Sequence, residues 1–182
     1  MDDQTERAMD GYLIALIRGG SRDGFDQLVR RWTPKLLRYA TRVLGRPEPA
    51  RDVVQETWIG VIRGLKRLDD PAQFPAWLYS IAHRKSIDGI RHAQRQRRLI
   101  SCVEQESAIA AAGNQRPAEP LENSGLTTAI GRLSQEQRDV VHLFYGEDLS
   151  IDDIASILAL PAGTVKSRLH HARESLKNQL GE

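Results

Sequence analysis

Arg84, Lys85, Arg91, Arg95, Arg97 and Arg98 cluster in mid-chain, a short distance after Trp77 and Tyr79. Clustered cations neutralise phosphates and neighbouring aromatic rings can stack on unpaired bases, so this stretch points to a nucleic acid. A solvated helix face would give the same run of charge. A second set of such residues lies near the C-terminus, where Lys166, Ser167 and His170 recur at helical spacing with Arg168 and Arg173 beside them. Lysine, serine and histidine can hydrogen-bond base edges, and arginine suits phosphate. Enzymatic chemistry finds less support. His83, His92, His142, His170 and His171 lack the spacing of a zinc protease, and neither a phosphate-binding loop nor a dinucleotide glycine pattern occurs. Adjacent His170 and His171 point about 100° apart on a helix, which is no ready metal pair. The expectation is a binding protein without catalytic residues, cofactor or metal.

The elements that must carry these residues read as helices. Among 182 residues, 40% are hydrophobic, 27% charged and only 5% aromatic, and the net charge of +2 hides a sorting of charge along the chain, acidic at Asp2, Asp3, Glu6 and Asp10 and basic in the middle. Cys102 is the single cysteine, so neither a disulfide nor a cysteine-rich zinc site can form within the chain, and a reducing cytoplasm fits. The apolar run Leu13 to Ile17 is too short to span a bilayer, and no membrane insertion is expected. Phe25, Leu28, Val29, Trp32, Leu36, Ala40 and Val43 follow the helical period, with Pro34 expected to interrupt and kink that helix and Gly45, Pro47 and Pro49 to close it and open the next.

The helix from about Pro49 to Leu68 places Val54, Trp58, Val61, Ile62 and Leu65 on one stripe. Asp52, Gln55, Glu56, Ile59 and Arg63 lie opposite, a face free for a partner. A loop at Asp69 to Ala72 leads to Phe74, Trp77, Leu78 and Ile81, which open the helix bearing the basic cluster. Trp77 suits a core better than a base-stacking platform. Tyr79 lies off the apolar stripe and is expected to be the exposed aromatic. From Leu99 to Gly125 periodicity fails and Pro117 and Pro120 intervene, as in an extended tether, although a stretch from about Val103 to Ala112 could be helical.

Beyond it, Ser134 and Gln137 have the spacing of a capping box, and Ser150 with Asp153 an acidic version of it. Pro161 suits the first turn of a last helix, in which Val165, Leu169, Ala172 and Leu176 form the inward seam. Two short helices joined by a tight turn make a helix-turn-helix, whose first helix braces and whose second enters the major groove. The expected architecture is all-α, with a first module over 1–98, a linker over 99–125 and a second module over 126–182.

The sequence LSIDDIA followed by GTVKSRLHHAR resembles the promoter-reading module of extracytoplasmic-function sigma factors, the compact branch of the sigma-70 family. ARDVVQETW resembles that family's polymerase-binding helix, and FPAWLYSIAHRKSIDGIR its minus-ten helix. The resemblance implies binding of core RNA polymerase through Asp52, Gln55, Glu56 and Ile59. It implies minus-ten DNA contacts from Asp69, Asp70, Phe74, Trp77, Tyr79, Arg84, Lys85 and Arg91, and minus-thirty-five contacts from Thr164, Lys166, Ser167, Arg168, His170, His171 and Arg173. Asp88, one turn from both Arg84 and Arg91, could tie either up in a surface pair. An anti-sigma partner is a further implication. A freestanding helix-turn-helix regulator, acting without polymerase, would share the C-terminal features and differ in its use of Asp52 to Glu56.

Overall fold

The computed structural model describes residues 3–107 and 125–180, and within them every regular element is helical. The first helix, α1 (Asp3–Arg18), sits where the sequence showed only a short apolar run. It is held by more than Leu13 and Ile14, which are buried. Asp10 is 1% exposed and accepts hydrogen bonds from the Trp32 indole at 2.9 Å and from Arg31 at 3.0 Å. Glu6 pairs with Lys35 at 2.6 Å. Glu6 and Asp10 of the acidic start are therefore consumed in docking α1 onto α2.

Ser21 caps α2 (Arg22–Leu44), accepting from the Gly24 N–H at 3.1 Å, and Gly45 closes it in the left-handed region at φ 71°. The expected break at Pro34 is absent: α2 continues through it. Proline removes one backbone donor and crowds the preceding turn, at a cost of about 3 kcal/mol. Burial of Leu28, Trp32, Leu36, Tyr39 and Ala40 along the same helix outweighs that cost.

The third helix, α3 (Pro47–Gly64), opens on a proline as expected. Val54, Trp58, Val61 and Leu65 are buried, but Ile62 is 61% exposed. One residue advances a helix by about 100°, which carries Ile62 off the side that Val61 buries; Ala50, Val53 and Thr57 complete that side instead. Two 3-10 turns, Leu65–Arg67 and Pro71–Gln73, then lead into α4 (Phe74–Ser107). The helix carries on past Leu99 to Ser107, into the segment expected to be tether. The rest of that tether, residues 108–124, lies outside the described residues.

Close packing of α3 on α4 depends on glycine. A Cβ on Gly64 would stand 2.8 Å from the Trp77 ring, and the indole, half-buried against the core, would have to shift to admit it. Gly64→Ala is expected to destabilise the protein by about 1–3 kcal/mol through overpacking, measured as a lower urea midpoint with an unchanged slope. A gain in stability would show that Trp77 swings aside freely.

In the second module, α5 (Gly125–Gly131) precedes α6 (Gln135–Val141), which opens on the capping box formed by Ser134 and Gln137. A π-helical turn, His142–Gly146, extends α6. Ser150 caps α7 (Ile151–Leu158), accepting from the Asp153 N–H at 3.1 Å. After Ala159, in the left-handed region, Pro161 leads into α8 (Ala162–Leu180), its carbonyl accepting from the Thr164 N–H at 2.9 Å. Val165, Leu169 and Ala172 are buried as the seam of α8, with Leu176 packed at its end.

The two helical domains do not stand apart. One continuous core runs from Leu13, Trp32 and Tyr79 through Val140, Leu143, Ile154 and Leu169. Helix α4 lies against α7, and α2 against the π-helical turn.

Candidate nucleic-acid and polymerase interfaces

The buried seam of α8 dictates what its other side offers. Lys166, Ser167, His170, His171 and Arg173 are exposed, and Thr164 and Arg168 half-buried. This is the outward row expected of a groove-reading helix, except in the state of two arginines. The Arg173 Nε donates to the Tyr145 hydroxyl at 2.6 Å, and its guanidinium lies 5.8 Å from the Phe144 ring centre. Arg168 sits near Glu136, whose carboxyl is held low mainly by its own backbone N–H, then by the Ser134 hydroxyl, with Arg168 adding to the effect.

On α3, Asp52, Gln55 and Glu56 are exposed and Ile59 is half-buried, so the four lie along one side of the helix that reaches solvent. Glu56 is engaged by Lys85 of α4 at 3.1 Å. The acidic face of α3 and the basic cluster of α4 thus meet along one groove, bordered by Asp52, Glu56, Lys85, Asp88 and Arg95.

The residues expected around minus-ten DNA divide into two groups. Asp69, Asp70 and Arg84 are exposed; Asp70 also accepts from the Ala72 N–H at 2.9 Å and so shapes the loop. Arg91 lies 3.9 Å from Asp88, the surface pair foreseen from their spacing. Trp77 is half-buried against Gly64. Phe74 and Tyr79 are buried, at 0% and 2% exposure. The expectation of an exposed Tyr79 is therefore corrected. Its ring stands edge-on to Tyr39 and Trp32, with centres 5.3 and 6.0 Å away, and its hydroxyl donates to Glu147. Phe74 packs edge-on against Trp32. The inward face of α4 is wide because α2 and α3 cover one part of it and α7 another.

The structure also gathers a polar set that no local signal marked. Arg42 of α2 pairs with Glu147 at 2.7 Å and donates to the Gly146 carbonyl at 3.2 Å. The Tyr39 hydroxyl and His83 Nδ1 are 2.9 Å apart, and His83 faces the charge of Asp139 from α6. Arg7 of α1 reaches Asp153 at 3.5 Å. Burial lifts the Glu147 carboxyl above the usual range despite the pull of Tyr79, Arg42, Arg38 and Lys35. Burial likewise raises Asp139, against the attraction of His83, and lowers His83. His142, at the start of the π-helical turn, is pushed down to about 4 by burial, with Arg42 and Arg138 adding to the shift. Arg42 and Glu147 are 105 positions apart in sequence, so periodicity could not have paired them.

Comparison with known proteins places this arrangement. Residues 28–96 match the family described as Sigma-70 region 2, and residues 125–176 that described as Sigma-70, region 4. The ECF RNA polymerase sigma factor SigW of Bacillus subtilis (strain 168) is 30% identical over 176 residues, covering 92% of this chain and 94% of its own length. The sigma factor SigL of Mycobacterium tuberculosis is 34% identical over 148 residues, covering 81% and 83%. CnrH, solved in complex with the cytosolic domain of CnrY, superposes with a TM-score of 0.68 at 27% identity, covering 95% of this chain and 97% of that one. The RpoE sigma factor of Bartonella quintana, solved with the anti-sigma factor NepR, shares the fold with a TM-score of 0.63 at 23% identity over 86% of this chain and 96% of that one.

Proposed function

The chain belongs to the extracytoplasmic-function sigma factors of the sigma-70 family, and on that premise we propose how its residues divide the work of starting transcription. It binds core RNA polymerase, recognises minus-ten and minus-thirty-five promoter elements and supports initiation; it is not an enzyme. The observation that carries this is the pair of family matches in the family's own order along one chain.

Residues 1–98 form the polymerase-binding and minus-ten part, 99–125 the connection and 126–182 the minus-thirty-five part. Polymerase docks on Asp52, Gln55, Glu56 and Ile59, carboxylates and an amide for basic and donor groups with an isoleucine for apolar contact. The exposed Asp69, Asp70, Arg84 and Arg91 and the half-buried Lys85 meet the opened minus-ten strand, with Trp77 at its edge. Phe74 acts from beneath as packing, and Tyr79 can join only when the face above it is vacated. On α8, Lys166, Ser167 and His170 read bases, while Thr164, Arg168, His171 and Arg173 hold the flanking backbone. CnrH was solved bound to another protein, the cytosolic domain of CnrY, and the anti-sigma partner that the family resemblance implies is part of the proposal for this chain.

The test is transcription reconstituted with core polymerase on genomic fragments with start sites mapped. A freestanding regulator would bind promoter duplex alone and would direct no new start sites. Within that assay, Lys166→Ala and His170→Ala are expected to change preference among minus-thirty-five variants, because losing a base contact costs about 1–3 kcal/mol at one base pair. Arg168→Ala is expected to weaken all promoters alike and to lower the salt slope by about one. Unaltered preference in both of the first two variants would remove the base-reading role from this face.

A further inference from the structure

Among the described residues, the ion pairs and side-chain hydrogen bonds that cross between the two modules through Glu147 and Asp153 share one polarity. The first module supplies the donors and cations of those contacts, Arg7, Arg42 and the Tyr79 hydroxyl, and His83 adds an electrostatic attraction to Asp139. The second supplies the acids: Asp153, Glu147 and Asp139. The Glu147 side chain is only 2% exposed, seated between the Arg42 guanidinium and the Tyr79 hydroxyl. Arg38 and Lys35 stand close enough to act on the same carboxylate. Lys35 already serves Glu6, whereas Arg38 is exposed and makes no ion pair among the described residues.

We propose that this face of the first module, built from Arg38, Arg42 and the Tyr79 hydroxyl, binds the phosphate backbone of DNA, and that Glu147 is the internal anion occupying it while the modules are packed. A planar guanidinium with a neighbouring hydroxyl suits a phosphate oxygen as well as it suits a carboxylate. The idea rests on the sigma-factor assignment for the identity of the polyanion. Geometry requires the face to be uncovered at work. Elements named for positions ten and thirty-five lie about 25 base pairs apart, roughly 85 Å at 3.4 Å per base pair. A compact chain of this length has a radius of gyration of only about 16 Å, so both elements can be held together only by separated modules. Separation exposes Arg42 and Tyr79 just as DNA arrives. Glu147 in turn leaves a site where burial disfavours its charge.

The experiment uses the full chain and fluorescein-labelled DNA of scrambled sequence without promoter elements, as duplex and as single strand. Affinity is read by anisotropy across a salt series, and separation of the modules by the radius of gyration from small-angle scattering. Glu147→Gln, and Glu147→Gln with Asp139→Asn, are expected to enlarge the radius of gyration and tighten DNA binding about tenfold. The slope of log K against log salt should steepen by about one to two, as one or two more phosphates are neutralised. Arg38→Ala with Arg42→Ala, added to the opened variant, should return affinity and slope to the wild-type values. The proposal is overturned by opening without a gain in DNA affinity, by a gain that survives loss of both arginines, or by a double variant that stays compact. Start-site selection by the wild type with core polymerase is measured separately, so failure of the family assignment would be seen independently of this result.

Discussion

The double variant Asp52→Lys, Glu56→Lys is expected to bind core polymerase about a hundredfold more weakly, or worse, with its helical content intact. Both carboxylates are exposed on one face of α3, so reversing them disturbs no core contact. Breaking one desolvated, hydrogen-bonded charge pair in an interface commonly costs 2–5 kcal/mol, roughly thirty- to several-thousandfold, and reversal adds repulsion. One internal effect must be separated from this. Glu56→Lys also sets two lysines face to face, because Lys85 lies 3.1 Å from Glu56. Adding Lys85→Ala relieves that repulsion, and the loss of polymerase affinity should persist in the triple variant. Arg168→Ala, in the other module, should leave core affinity within about threefold. Polymerase binding at wild-type strength by the double variant would show that this face does not meet the enzyme.

Acid should weaken the protein through His142, and the sign follows from its environment. In the folded chain burial and the nearby Arg42 and Arg138 push this imidazole down to about 4, from an ordinary 6.5. The unfolded chain therefore takes up a proton at His142 first. Stability from this group is fully present above pH 6.5 and is lost as pH falls through about 4. A gap of about 2.5 units corresponds to roughly 3 kcal/mol. His83 contributes in the same direction. Asp139 and Glu147 act oppositely, since their raised values favour the folded state as pH falls. Comparison with His142→Gln cancels these neighbours. Between pH 7 and 4 the wild type is expected to lose about 3 kcal/mol more unfolding free energy than the variant, by urea titration at each pH. Parallel pH profiles would mean that His142 is protonated in the folded protein.

Much of the architecture was readable from sequence because its determinants are local. Ser134 with Gln137, Ser150 with Asp153, Gly45 and Pro161 act within a turn or two of themselves, so spacing alone located the helix ends. The α8 seam was equally accessible, since four apolar residues at helical intervals leave their neighbours facing outward. Failures arose where a second partner decided the outcome. Tyr79 lies off the apolar stripe, yet α4 is packed by more than one neighbour, and the hydroxyl finds Glu147 on the far module. Ile62 reads as part of the α3 stripe until the orientation of α3 against its neighbours is known. Pro34 breaks isolated helices but not one fastened on both sides of it by core residues. In α1 a buried aspartate, Asp10, sits where hydrophobicity alone predicts nothing, supported by an indole and a guanidinium from α2. Contacts between the modules join residues 68 positions apart at Tyr79 and Glu147 and 105 apart at Arg42 and Glu147, beyond the reach of any periodic pattern.

The Lys85–Glu56 pair joins the helix face assigned to polymerase with the helix assigned to DNA. Such a bridge is an element of thermodynamic linkage. A basic group of polymerase that draws Glu56 away releases Lys85 for phosphate, and a phosphate that captures Lys85 leaves Glu56 ready for polymerase. Reciprocity makes the two enhancements equal, whichever ligand comes first. Because both side chains are partly in water, the bond between them is weak and the coupling amounts to several-fold at most. That is enough to bias the order of assembly without locking it, and it would be read as a promoter affinity that rises on polymerase binding in the wild type but not in Glu56→Gln.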